Sequence, residues 1–411
     1  MKNKALLVVD SGIPVYREYA LRSLSHHYDI VILMSEAVTW QHKYIKDSLH
    51  MPLLDIPSVI KEVSAYARKH PIDGIFTYSE PYVELATTLA AALQLPHNPL
   101  ETAHSCRDKQ AMRQRWSQAH VPSARSCPAS SLETAREAAS EIGYPVVIKP
   151  RAMSASIGVV RANSPEELSR GYEIANSAGH PILTGATRGV LIEEYLDGPE
   201  FSVECVTYNS QVHIVGITRK KVGMAPYFLE MAHIVAPDEL ILREQEVRQL
   251  VLDAHKALEI NIGVTHAEVR LTSTGPRMVE LAARCAGGLI PYLVQLVTNI
   301  DMAVAGADVA IGVKPSLHSI PTCYKVAAIH FFYPEHDAIV KALRLAPHAS
   351  TLSWLHDVAW EVNIGDTVYL PPRRFISRLG YAVVTGQTVL ECEQHIRELA
   401  GLTHFDLAYQ L

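Results

Sequence analysis

Acidic and basic residues recur at strand spacing in the carboxyl half of the chain: His266, Glu268 and Arg270, then Glu280 with Arg284 just beyond. Side chains alternate across a strand, so the first three share one face while Thr265, Ala267, Val269 and Leu271 share an apolar one. The turn Ser273-Thr-Gly-Pro276 leads into a second run, in which Met278, Glu280 and Ala282 are expected on the charged face and Val279, Leu281 and Ala283 in the core. Folded as a hairpin, the two runs bring Glu268 and Glu280 together. Paired carboxylates repel and are costly to desolvate unless a cation lies between them or one takes a proton. Hard oxygen ligands on rigid strands suit Mg²⁺, with Mn²⁺ as a substitute, and Mg²⁺ shares its shell with substrate phosphates. The alternative is a solvated polar face of a half-buried sheet.

A site for such phosphates is expected upstream. Lys149 ends the apolar strand Pro145 to Lys149, on the same face as Val147, and a lysine there calls for an anion. The small-residue run from Arg151 to Val160, with Ser154, Ser156 and Gly158, reads as a flap whose N–H groups and hydroxyls close round an anion. Ser164, Pro165 and Glu167 then mark a helix start. A helix from Ala103 carries Lys109, and a strand from Val190 to Leu196 holds Glu193, Glu194 and Tyr195 before a turn reaches Glu200. The segment Arg219 to His233, which includes Lys220 and Glu230, mixes basic residues, glycine, proline and aromatics and reads as a mobile loop. The helix Ile241 to Leu258 carries its apolar residues at core spacing.

The elements that position these residues fall into three expected domains, consistent with 411 residues at roughly 150 per domain. Residues 1–100 alternate short apolar runs and amphipathic helices, the rhythm of a parallel sheet. The first turn lacks the glycine pattern of a dinucleotide site. Residues 101–190 hold the flap; residues 191–411 hold the metal hairpin and, from about 320, a mixed extension. The fold class is therefore α/β, with α+β parts. A net charge of −6 and no long basic cluster argue against nucleic acid as a partner. The start is too short for a signal peptide, no segment reaches membrane-spanning length, and the six scattered cysteines signal no zinc or disulfide framework. A cytoplasmic protein with no membrane partner is expected.

Taken in order, Lys109, Lys149 with its flap, Glu193-Glu194-Tyr195-Leu196, Glu200, Glu268, Glu280 and Arg284 resemble the ATP-grasp carboxylate–amine ligases, strongly from Ala103 to Gly288. Within them, Arg107-Asp-Lys-Gln-Ala-Met-Arg113, the run Lys149 to Gly158 and Glu280-Leu-Ala-Ala-Arg-Cys-Ala-Gly287 look most like the L-amino acid ligases, which join two amino acids. The resemblance implies an ATP-grasp fold behind an N-terminal Rossmann-like domain, with ATP between two sheets. Lys109 and Lys149 would neutralise phosphates, backbone groups from Glu193 to Leu196 on an exposed strand edge would read adenine, and Glu200 would hold the ribose. Glu268 and Glu280 would hold Mg²⁺, and Arg284 the transferring phosphate. Ala282 stands where many family members have an asparagine ligand. For Lys109 a surface role is the alternative, for Glu200 a solvated turn, and for Arg284 a salt bridge to Glu268 or Glu280.

The implied chemistry is phosphorylation of a carboxylate and attack on the acyl phosphate by an amine. His266, Glu230 and His233 are candidates for the base that neutralises the amine, with a structural histidine as the alternative for His266; Lys220 would reach the phosphates as its loop closes. Glu80 would hold a substrate ammonium or begin a helix. Gly287 and Gly288 border the substrate, and Gly288, where some dipeptide ligases carry a bulky residue, would leave room for a larger acceptor. Amino acids are the expected partners, and a homodimer the expected assembly. A purine-type or biotin-carboxylase-type ATP-grasp enzyme and a non-catalytic ATP sensor are the competing readings.

Overall fold

The computed structural model describes residues 4–179, 189–236, 245–318, 322 and 324–409. The first sheet is parallel, in the order Asp47–His50, Asp29–Met34, Ala5–Val9, Gly74–Phe76. Its central strands are apolar on both faces because helices cover both. Leu6, Val8 and Ile30 pack with Leu21 and Leu24 of helix Pro14–His27, whereas Leu7, Val9, Val31 and Leu33 pack with Val59, Val63 and Leu89 of two later helices.

A four-stranded antiparallel sheet follows, in the order Ser126–Ala129, Val190–Glu194, Val146–Pro150, Val160–Ala162. The flap run joins its last two strands. The start signal read at Ser164 holds: its hydroxyl accepts from the Glu167 N–H at 3.3 Å, with Pro165 opening the helix. The third sheet has eight antiparallel strands, Gly275–Ala282, Gly263–Thr272, Glu200–Tyr208, Gln211–Gly223, Leu229–Val235, Val326–Phe332, Gly380–Gly386 and Leu355–Trp360. A three-stranded sheet and helix Val389–Leu402 pack against its far end. Among the described residues no single helix is long and apolar enough to cross a membrane.

Four local expectations change. The segment Arg219 to His233 is the hairpin between Gln211–Gly223 and Leu229–Val235, its ladder running from Thr218 opposite Val235 to Gly223 opposite Leu229. Proline and aromatics fill only its short turn, where Arg161 N–H donates to the Pro226 carbonyl at 2.9 Å, and Gly223 ends the first strand. The helix expected from Ala103 is two helices, Leu100–Arg107 and Lys109–Gln118. Asp108 divides them by capping the second, its Oδ1 accepting from the Gln110 N–H at 2.9 Å. The helix read over Ile241 to Leu258 spans Gln245–Ala257, residues 241–244 lying outside the described residues.

The fourth change lies in the hairpin of Glu268 and Glu280. Glu268 does face Glu280 across the ladder, but the next pair is Val269 with Met278, so Val279 is an inserted residue. The bulge reverses the expected facing: Met278 is fully buried with Leu281 and Trp116, and Val279 lines the charged cleft.

Behind that hairpin, His255 sits between the Val251 carbonyl and the Thr265 hydroxyl, each 2.7 Å from a ring nitrogen. Burial pulls its pKa from 6.5 to about 4. The unfolded chain therefore binds the proton more tightly, so the stability carried by the neutral ring is whole above pH 6.5 and lost as pH falls towards 4. That difference is on the order of 3 kcal/mol. Urea midpoints should fall between pH 6.5 and 4.5, and His255→Gln should flatten that part of the slope.

Candidate active site

The four-stranded and eight-stranded sheets flank an open cleft of about 830 Å³. It is lined by Lys109, Lys149, Ser154, Ser156, Glu193, Glu194, Tyr195, Leu196, Glu200, Lys220, Glu230, Glu268 and Glu280, residues separated by up to 171 positions in sequence. Lys149 and Glu193 lie on neighbouring strands, with Lys149 Nζ 2.5 Å from Glu193 Oε2. Arg113, from the second of the divided helices, holds the same carboxylate through Nε at 3.0 Å and spans to the Val279 carbonyl at 2.6 Å. Burial alone would raise the Glu193 pKa, but Arg113 and Lys149 outweigh it and hold the carboxylate ionised. Lys149 is pulled below the ordinary lysine value by burial and by Arg113 and Lys109, against the attraction of Glu193. Lys149 and Arg113 thus share the single negative charge of Glu193, and an additional anion is what this pair lacks.

The break at Asp108 turns Lys109 inward. Its ammonium donates to the Met153 carbonyl of the flap at 2.6 Å and lies 3.0 Å from Glu280 Oε1. The flap is pinned from the other side as well, since the Arg151 guanidinium pairs with Asp108 and its carbonyl accepts from the Lys109 N–H. Ala155, Ser156 and Gly158 have φ of +54°, +55° and +74°. Such a run of left-handed residues arches the chain over the cleft mouth.

Lys220 is buried on its strand, 2.9 Å from Glu200 Oε1 and 3.4 Å from Glu230 Oε1, and it also pairs with Glu268. Burial works against its charge, yet Glu200, Glu268 and Glu230 raise its pKa well above the usual value. Arg270 clamps the other oxygen of Glu200 at 2.9 and 3.1 Å and donates to the Leu196 carbonyl at 2.9 Å. His266 bridges Glu204 at 2.8 Å and Glu268 at 3.3 Å. Burial opposes its proton, but the Glu204 and Glu268 carboxylates raise the pKa from 6.5 to about 9, so near neutral pH it is a cation and not a waiting base.

Other expected roles move. The strand edge assigned to adenine is not exposed as far as Glu194, because Val190–Glu194 is paired on both sides; Tyr195 and Leu196 are the backbone beyond the ladder. Arg284 pairs with Glu80 at 2.5 Å, not with Glu268 or Glu280, and the Glu80 carboxylate is therefore engaged. Glu80 and Arg284 lie outside the lining, as do His233, His266, Gly287 and Gly288, although His266 touches Glu268. Gly288 does not leave free space. At φ +56°, a Cβ there would lie 3.0 Å from His233 Nε2 and 3.3 Å from Phe331 Cζ, so His233 fills the volume; beside Gly287 the space is open.

Arg113, Glu204 and Arg270 were given no role in the sequence, though Arg113 stood in a motif and Arg270 on the charged face. Only the packing of elements distant in sequence reveals their partners. Arg378, from the far end of the sheet, reaches Glu230 at 3.0 Å and had no local signal. Among the described residues no group of three or more histidine, cysteine or carboxylate side chains is placed to hold a metal. The two hard carboxylates Glu268 and Glu280 nonetheless fit Mg²⁺, an ion that takes few protein ligands and completes its shell with phosphates and water.

The chain matches three domain families: the ATP-grasp N-terminal domain over residues 29–97, the ATP-grasp domain over residues 142–291, and the L-amino acid ligase C-terminal domain 2 over residues 330–408. It is 29% identical to the alanine–anticapsin ligase of Bacillus subtilis over 68% of this chain and 63% of that protein. It is 24% identical to carnosine synthase 1 of Mus musculus over 71% of this chain and 37% of that protein. The chain thus spans less than two thirds of the length of both. A crystal structure of an L-amino acid ligase from Bacillus licheniformis superposes over the whole of both chains with a TM-score of 0.83 at 22% identity.

Replacing Glu193 by Gln leaves Lys149 and Arg113 buried without their counter-charge, which should cost about 3–5 kcal/mol. Thermal melting should show a clear drop in midpoint, and inorganic triphosphate should restore part of it, more in the variant than in the parent protein.

Proposed function

We propose that this chain, which belongs to the ATP-grasp family and carries an L-amino acid ligase C-terminal domain, joins the carboxylate of one amino acid to the amine of a second at the expense of ATP. The observation that carries this reading is that Lys149, Lys109 and the arched flap line one cleft together with Glu268 and Glu280. A triphosphate between those walls meets ammonium groups on one side and, on the other, the carboxylates that would hold Mg²⁺. When bound, the ion would neutralise the β- and γ-phosphates. The adenine would lie by Tyr195, Leu196 and Phe228, and the ribose by Glu200, which Arg270 fixes in place.

The first step forms a bond between a carboxylate oxygen of the donor amino acid and the γ-phosphorus, and ADP leaves. The neutral amine of the acceptor then attacks the acyl carbon, phosphate departs, and the nitrogen gives up a proton. The protein's contribution is positioning and charge. Lys149 and Lys109 accept the phosphates. Arg284, held by Glu80 and within electrostatic reach of Glu268 and Glu280, would favour the leaving phosphate by its positive charge. Lys220 helps keep Glu268 ionised and, pairing with Glu200 as well, holds the two carboxylates apart. The flap keeps water from the acyl phosphate. Glu230, anchored by Lys220, lines the cleft and would orient the amine; against burial, His233, Lys220 and Arg378 hold its carboxyl well below the usual range, so neither it nor the already charged His266 takes the amine proton, which leaves with the departing phosphate.

Pairs of amino acids incubated with ATP and Mg²⁺ should release ADP and phosphate and yield a product whose mass is the sum of both less one water. Release with bicarbonate or formate alone would sink the reading. Lys149→Met and Glu280→Gln should each lower the rate on the order of 10²–10³-fold, with the melting temperature measured alongside to separate chemistry from folding.

A further inference from the structure

On the far side of Glu230 lies a second charged cluster that the chemistry above leaves unused. At its centre is Arg378, on the chain just before strand Gly380–Gly386. The guanidinium donates to Glu230 Oε2 at 3.0 Å, to the Tyr16 hydroxyl at 3.0 Å and to the Tyr333 hydroxyl at 3.1 Å, and its flat face lies 3.5 Å from the centre of the Phe331 ring. Tyr16 in turn donates to Glu361. The N-terminal helix, the cleft strand Leu229–Val235 and the carboxyl-terminal region thus converge on one arginine.

The charges in this cluster are shared in an unusual way. Glu230 neutralises Arg378 but is also drawn to Lys220 at 3.4 Å. Glu361 reaches the arginine only through Tyr16, and burial pushes its pKa above the ordinary carboxylate value, so it is an acid short of positive charge. His233, fully buried, has only the long 3.4 Å contact of Nε2 with Glu230 Oε2, and its Nδ1 has no hydrogen-bond partner. A buried polar group so poorly partnered marks where a ligand would complete the bonding. Solvent still reaches the pair, with Arg378 13% and Glu230 21% exposed, and the space beside Gly287 is open.

A zwitterion supplies what both halves lack. Its carboxylate matches the planar fork of an arginine, and its ammonium matches acids that have too little positive charge around them. In an α-amino acid the two groups are separated by a single carbon, and here one carboxylate, Glu230, separates Arg378 from the lysine of the phosphate cleft. We propose that Arg378 anchors the α-carboxylate of the amine-bearing amino acid and so sets specificity for acceptors with a free carboxylate, an assignment that rests on the ligase reading above.

The test compares acceptor amino acids with their carboxamides on the parent enzyme and on Arg378→Gln. The parent should show a KM for the carboxamide at least about 10-fold above that for the acid, each lost charge-assisted contact being worth that much or more. In R378Q the KM for the acid should rise to that of the carboxamide, with the KM for ATP unchanged. Equal KM values for acid and amide in the parent would overturn the proposal, and so would discrimination that survives in R378Q. If R378Q does not fold, Arg378→Lys keeps the charge without the fork and should lose most of the discrimination, while the parent comparison decides by itself. If the parent makes no amide from any pair, the ligase reading has failed separately. Calorimetric binding of amino acid against carboxamide then still tests Arg378: carboxylate-dependent binding lost in the variant supports it, and binding indifferent to the carboxylate, or absent, overturns it.

Discussion

An ammonium taken into a sheet loses several kcal/mol of hydration, and Lys220 recovers that loss only because Glu200, Glu230 and Glu268 surround it. The reverse holds too. Three carboxylates on three strands would repel one another without the ammonium between them, and the spacing of the eight-stranded sheet at this point is compatible with charge only because lysine and acid are buried together. Each of the three acids has a second cation as well: Arg270 for Glu200, Arg378 for Glu230 and His266 for Glu268. The network reaches from the turn at Leu196 to the carboxyl-terminal region, with each of these three acids opposed by two cations.

The same logic governs the opposite wall. Lys109 holds Glu280, and Lys149 holds Glu193 with Arg113. In this state the groups assigned to phosphate and to metal neutralise one another. Binding of a nucleotide with its cation would be an exchange of partners, in which lysines turn from carboxylates to phosphates as the carboxylates turn to the ion. Such an exchange costs less than solvating or creating charge in the cleft, because the sum of charges changes little.

Much of this was legible in the sequence, and the reasons it was legible are physical. Lys149 inside an apolar strand, the small-residue flap and the pairing of Glu268 with Glu280 follow from alternation and from the cost of burying charge, and the βαβ rhythm follows from helices that cover both faces of a parallel sheet. What could not be read were features set by partners distant in sequence. The bulge at Val279 depends on how two strands settle into register, so strict alternation misplaced Met278. Asp108 was read as one residue of a continuous helix because nothing local reveals that Arg151 stands ready to pair with it. Glycine, proline and aromatics suggested a loop at Arg219 to His233, yet alternation with the neighbouring strands made it a hairpin. The engagement of Glu80 by Arg284, across 204 residues, has no local trace at all.

The inserted residue at Val279 gives two adjacent apolar side chains opposite environments. Met278 answers to the packing of Trp116 and Leu281, so its size is dictated by the interior. Val279 forms part of the wall that a bound molecule would touch, and its carbonyl steadies Arg113. Two neighbours of similar hydropathy are thus free to vary along independent lines, the first limited by volume and the second by the shape of whatever enters the cleft.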